Sequence, residues 1–134
     1  MATIIFWDLE INPKNQHLFF EKSTVVGDSP IIIKLSNIHR RFQAIKHGTL
    51  PGQVVFVIEV SDDITVEEDQ SQASWIPQGI IKIDNAAATV DFNGTTVIVE
   101  NQLTCGYASQ VAWKYVRARM LENNGDPATL IMGL

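Results

Sequence analysis

Apolar residues along this chain fall mostly in short runs and alternating stretches, and take a helical spacing only towards its end. TIIFWDLEI (3–11) and HLFFEK (17–22) are rich in β-branched and aromatic residues, with the loop-forming NPKNQ between them. That pattern predicts an N-terminal β-hairpin. Gly27, Asp28 and Pro30 punctuate the next segment and set off a short strand at Ile31–Leu35. QVVFVIEV (53–60) is apolar on both of its alternating faces, so this strand must be covered on both sides. IIKID (80–84) and NAAATVDF (85–92) read as further strand, and TTVIVENQL (95–103) as the returning one. Asn93-Gly94 joins them, because both residues tolerate the positive φ that a two-residue hairpin turn demands.

Two segments carry a helical signal. In NIHRRFQAIKHG (37–48), Ile38, Phe42 and Ile45 share a helix face. A strand would instead put Ile38, Arg40, Phe42, Ala44 and Lys46 on one side, and His39, Arg41, Gln43, Ile45 and His47 on the other. Local pattern leans towards the helix. After residue 104 the signal is stronger: Ala108, Val111, Ala112, Tyr115, Val116 and Met120 form a stripe at helical spacing. Thr104 is placed to cap that helix, and Asn123-Asn124-Gly125 to stop it. Asp126-Pro127 then reads as the start of a second short helix over PATLIM. The expected fold is therefore α+β: an N-terminal β-hairpin and an antiparallel sheet of about five strands, followed by a C-terminal helix and a short terminal helix. At 134 residues the chain suits a single domain, 1–134, able to bury a core without metals or disulfides.

Charge changes this picture in one place. The chain is acidic, with a formal charge of -5, yet His39, Arg40, Arg41, Lys46 and His47 fall close together. Any nucleic-acid contact must rest on such a local patch, through phosphates. The opposite sign collects in SDDITVEEDQSQASWIPQG (61–79), which reads as an exposed acidic loop with a brief extended segment at Ile64–Val66. It lacks the spaced ligands and central Gly of a calcium loop. His39 and His47 have no cysteine or neighbouring carboxylate to complete a zinc site, so no metal and no cofactor are expected. Cys105 stands alone, which excludes an internal disulfide, and reads as a small apolar residue at a junction. Neither GxSxG nor the phosphate-cradling GxxxxGK occurs. Asn93-Gly94-Thr95 matches a glycosylation sequon but reads as a turn. No apolar run is long enough to span a membrane, and MATIIFWDLE lacks the basic flank of a signal peptide, so cytoplasmic synthesis is expected.

In the order of its expected elements the chain resembles the coat proteins of single-stranded RNA bacteriophages. The tail carries most of the likeness: TTVIVENQL, then YASQVAWKYVRARMLENN, then GDPATLIMGL. The resemblance implies a non-enzymatic, self-assembling structural subunit: a homodimer whose C-terminal helices lie over the partner's sheet, assembling into a shell around RNA. It then assigns RNA contact to residues of the basic stretch, with either His39, Arg41, Gln43 and His47 or Arg40 and Lys46 facing the shell interior. The dimer interface falls to Ala108, Val111, Ala112, Tyr115, Val116 and Met120. It also requires 38–47 to be a strand. Two other classes stay open: a small oligomeric protein- or ligand-binding module without nucleic acid, and a small enzyme using Cys105 or His39.

Overall fold

A computed structural model describes residues 3–6, 16–29, 31–34, 40–92, 95–100, 102–109 and 113–133. At its centre is the strand that must be covered on both sides, β6 (Val54–Ser61), and all eight of its residues are buried. It pairs antiparallel with β11 (Tyr115–Glu122) on one side and β7 (Ile76–Ile83) on the other. Beyond β11 lie β4 (Ile31–Lys34) and the two-residue β3 (Gly27–Asp28), and beyond β4 lies β1 (Thr3–Phe6), paired in parallel. Beyond β7 the sheet continues through β8 (Ala87–Phe92) to β9 (Thr95–Glu100). The second sheet is fully antiparallel, in the order β10 (Thr104–Ser109), β5 (Arg40–Lys46), β12 (Ala128–Gly133), β2 (Gln16–Ser23).

The two sheets stack into a sandwich. Phe20, Phe42, Ala44, Leu130 and Met132 from one meet Val54, Phe56, Ile58, Ile81, Val116, Ala118 and Met120 from the other in a single core. Phe20 packs on Phe56 with ring centroids 5.4 Å apart, and Tyr107 stacks on Phe92 at 4.6 Å. Setting aside β1, β3 and the β8–β9 hairpin leaves eight strands, β2, β4, β5, β6, β7, β10, β11 and β12. Numbered along the chain, they lie in the orders 6-3-8-1 and 2-7-4-5. Most connections therefore cross between sheets, which is the doubled Greek key of a jelly roll.

This architecture is predominantly β, and it overturns the expected α+β fold: among the described residues no helix reaches seven residues. Within the segment expected to form the C-terminal helix lie β10 and β11, with 110–112 outside the described residues, and Ala128–Met132 of PATLIM lie in β12. YVRARMLE satisfies both periods. Its Ala, Arg, Met, Leu and Glu favour a helix locally. Alternation, however, places Val116, Ala118 and Met120 in the core and the longer Arg117 and Arg119 on the other face. Burial between β6 and β4 outweighs propensity, which differs by under about 1 kcal/mol per residue among these types. Residues 40–46 of the basic stretch are likewise a strand, β5, while 37–39 lie outside the described residues. The described parts of the expected N-terminal hairpin do not pair with each other either: β1 and β2 lie in different sheets, and 7–15 fall outside the described residues. Asn93-Gly94 lies outside the described residues, but the flanking Phe92 and Thr95 pair directly.

The acidic segment is no free loop. A one-turn helix, α1 (Thr65–Glu68), replaces the expected extended piece, and Val66 covers Ile32 and Tyr115 on the outer face of the larger sheet. Asp63 ties the segment's two ends by accepting from the amides of Thr65 and Ser74, each at 2.9 Å. Glu67 accepts from the Tyr115 hydroxyl and from Lys34 Nζ, the latter at 3.2 Å.

Candidate functional site

Strand alternation divides the basic stretch. Phe42, Ala44 and Lys46 point into the sandwich; Arg41 and Gln43 are exposed on the outside, with Ile45 and His47 half-buried beside them. Arg40 begins the strand, and His39 lies outside the described residues. Gln43 donates to Thr104 Oγ1 at 3.0 Å, and the same hydroxyl donates to Ala44 O, so the expected helix cap instead fastens two strands. His47 Nε2 shares a hydrogen bond with Thr129 Oγ1 at 2.8 Å. Six residues near in sequence are thus not one surface.

Lys46 is the clearest departure. Its ammonium is sealed at one end of the sandwich, 2.7 Å from Asp126 Oδ2, 2.9 Å from Asn85 Oδ1, 3.1 Å from Leu50 O and 3.2 Å from Gly48 O. A buried charge is tolerable only when paired and surrounded by oxygens in this way. The bond from Lys46 holds the Asp126 carboxyl below the usual aspartate range, with Asn124 and the Leu50 amide adding to the effect. Gly48 is required here on two counts: its φ is +148°, and a Cβ would sit 2.2 Å from Asp126 Oδ1. The knot joins three connections, 47–53, 84–86 and 123–127. Beside it, Pro51, Gly52, Gln53, Asp84, Asn85 and Ala86 line an open hollow of about 390 Å³. The polar groups of that hollow are committed to the fold. Asp84 accepts from the amides of Ala86 and Ala87, and Asn85 donates to Thr49 O while accepting from Lys46.

The expected interface residues separate too. Tyr115, Val116 and Met120 are buried within the single chain, Ala108 is exposed on β10, and Val111 and Ala112 lie outside the described residues. The outer face of the sheet around them carries ion pairs. Glu59 accepts from Arg117 Nε at 3.0 Å, Arg119 lies 2.7 Å from Asp28, and Arg117 stacks over Trp75 at 4.1 Å. Cys105 is half-buried on the inner side of β10, and burial pushes its thiol up to about 11. At neutral pH such a group is a thiol, a poor nucleophile. Among the described residues no group of three or more His, Cys, Asp or Glu is placed to hold a metal ion.

What the chain leaves uncovered lies at the far side of the larger sheet. Pairing of β8 with β9 places Val97 beside Val90 and Val99 beside Ala88, so these valines continue the core-facing side. The second sheet ends at β10, which packs under β7 and β8. Every residue of β9 is consequently exposed, with Val97 at 54%, Ile98 at 63% and Val99 at 41%. Alternation locates this strand but not its exposure, for which TTVIVE, apolar at adjacent positions, is the one signal in the sequence.

No protein-family model, curated protein or solved structure matches the chain.

Proposed function

We propose that the protein is a non-enzymatic structural subunit that associates with further copies of itself. One observation carries the reading: the core-facing side of the larger sheet runs past its cover, leaving Val97 and Val99 in water with Ile98 on the opposite face. Adjacent apolar residues exposed on a strand are costly to solubility unless association covers them. The jelly-roll connectivity adds an analogy of fold alone, since that arrangement serves in viral capsid and lectin domains. In the more specific form of this proposal the assembly is a coat enclosing RNA. Phosphate contact on β5 then falls to Arg41, with Gln43 beside it, because Lys46 is enclosed.

Sedimentation of the purified chain from low to high micromolar concentration tests the reading. A mass above the 14.9 kDa of one chain that grows with concentration is expected. A 14.9 kDa species throughout would refute it. Nucleic acid that copurifies with the parent and falls in Arg41→Gln supports the coat form; assembly free of nucleic acid removes RNA from the proposal and keeps the subunit.

A further inference from the structure

The geometry points to β9 as a two-fold interface: we propose that it pairs antiparallel with β9 of a second copy, centred on Ile98, joining two sheets into one. The inference rests on the assembly reading above and deepens it by naming surface, partner and register.

β9 ends its sheet, so one row of its N–H and C=O groups has no strand beside it among the described residues. Natural edge strands are protected from strand addition by lysine, proline, bulges or shortness. Thr95–Glu100 has no lysine and no proline, and its six pairs with β8 run without a register shift. Among the described residues it is an edge without bulge or cover, and Glu100 is its one charge.

The occupant follows from the order of its side chains. Two identical antiparallel strands in one sheet are related by an axis perpendicular to it, which must pass beside a residue that faces its own copy. An axis at Ile98 opposes Ile98 with Ile98, Val97 with Val99, and Thr96 with Glu100. Apolar residues then meet apolar ones, polar meets polar, and the two carboxylates are kept apart. Moving the axis to Val97 would oppose Thr95 with Val99 and Thr96 with Ile98. Directly opposed pairs are the unit of sheet stability, so the first register is favoured. It also gathers Val97 and Val99 of both copies on the core-facing side, where each extends the Ala88–Val90 row of its own subunit. The palindromic order polar-Val-Ile-Val-polar is what a self-pairing strand requires, whereas a foreign peptide would impose no such symmetry.

Cysteine cross-linking reads the register. In a Cys105→Ser background, Ile98→Cys places two thiols on directly opposed positions, about 4.5–5.5 Å apart at Cα and within disulfide reach. Mild oxidation should convert most of this variant to a covalent dimer. Thr95→Cys, which faces no residue of the partner's β9 in this register, should react at least about tenfold more slowly. As an independent arm, Ile98→Lys sets two ammonium groups face to face and should abolish the dimer with an unchanged circular dichroism spectrum. Val25→Lys, at another exposed apolar position, should leave the mass as it was. Faster cross-linking of Val97→Cys than of Ile98→Cys overturns the register. An assembly that survives Ile98→Lys overturns the interface while the structural-subunit reading stands. A parent chain that is monomeric at every concentration overturns both.

Discussion

Lys46 and Arg41 lie on one strand five positions apart and face opposite environments, so equal charges on them carry unequal weight. Replacing Lys46 by Met would leave Asp126 and two carbonyls facing a neutral side chain inside the sealed end of the sandwich. Loss of about 3 kcal/mol or more is expected, because one partner of a buried pair is removed while the other stays. Arg41→Met, at an exposed position, should change stability by about 1 kcal/mol at most. Urea unfolding of the two variants decides the matter; comparable losses would mean that the knot does not hold the loops. Cys105 offers a second residue-scale test. With its thiol pushed up to about 11 by burial, it should react slowly with a thiol-specific chromophore at neutral pH and at full speed once the chain is unfolded. Rapid labelling of the folded protein would contradict that environment.

Elements are held by contacts that their own sequences do not announce. The segment from Asp62 to Trp75 docks on the outer face of the sheet through Val66 and through Glu67, whose carboxyl accepts from Tyr115. That bond, with Lys34 next in weight, holds Glu67 below the usual glutamate value, while burial and the same bond push the Tyr115 hydroxyl up to about 12. A carboxylate depressed by folding contributes stability above its unfolded value and loses it as pH falls through its folded value. The segment should therefore stay docked through the ordinary glutamate range and release only below it. Tyr115→Phe should raise the release pH, followed by amide exchange over residues 62–75; no change would exclude the bond as the clasp. Between β10 and β5 the controlling residue is Gly106. A Cβ there would lie 2.1 Å from Phe42 O, so Gly106→Ala should push the strands apart and lower the melting temperature. A melting temperature equal to the parent's would show that the approach is not so close.

At the scale of the whole molecule, order in the sandwich depends on pairings between distant parts of the chain. β12 lies between β5 and β2, and Asp126 just before it is the counter-charge of Lys46. Ending the chain at Asn124 would remove both, and no cooperative thermal transition should remain. A truncated chain that melts cooperatively would disprove the topology. Sheets assembled mainly from non-local pairs form slowly, so refolding of the full chain should take roughly milliseconds to seconds by stopped flow. No helix of the described residues is long and apolar enough to cross a membrane.

Local alternation was enough to locate many of the strands. The double-sided apolar run at 53–60, the short strand at Ile31 and the strand at 95–100 stand close to where pattern puts them, whereas the strand expected to run on from 80 to 92 is two, β7 and β8, parted at 84–86. For these, the side-chain period of two is a property of neighbouring residues, and it reads directly. The stretches 37–48 and 104–133 carried two compatible periods, and only the partner strand could choose between them. Val116, Ala118 and Met120 are a strand face because β6 and the second sheet stand ready to bury them, not because their own propensities ask for it. The same non-locality sent Lys46 inward to a carboxylate 80 positions away, and sent β1 and β2 to different sheets. It also left β9 bare, because exposure depends on where another sheet ends. Spacing along a chain encodes which side chains share a face; what covers that face is settled by the packing of residues far apart in sequence.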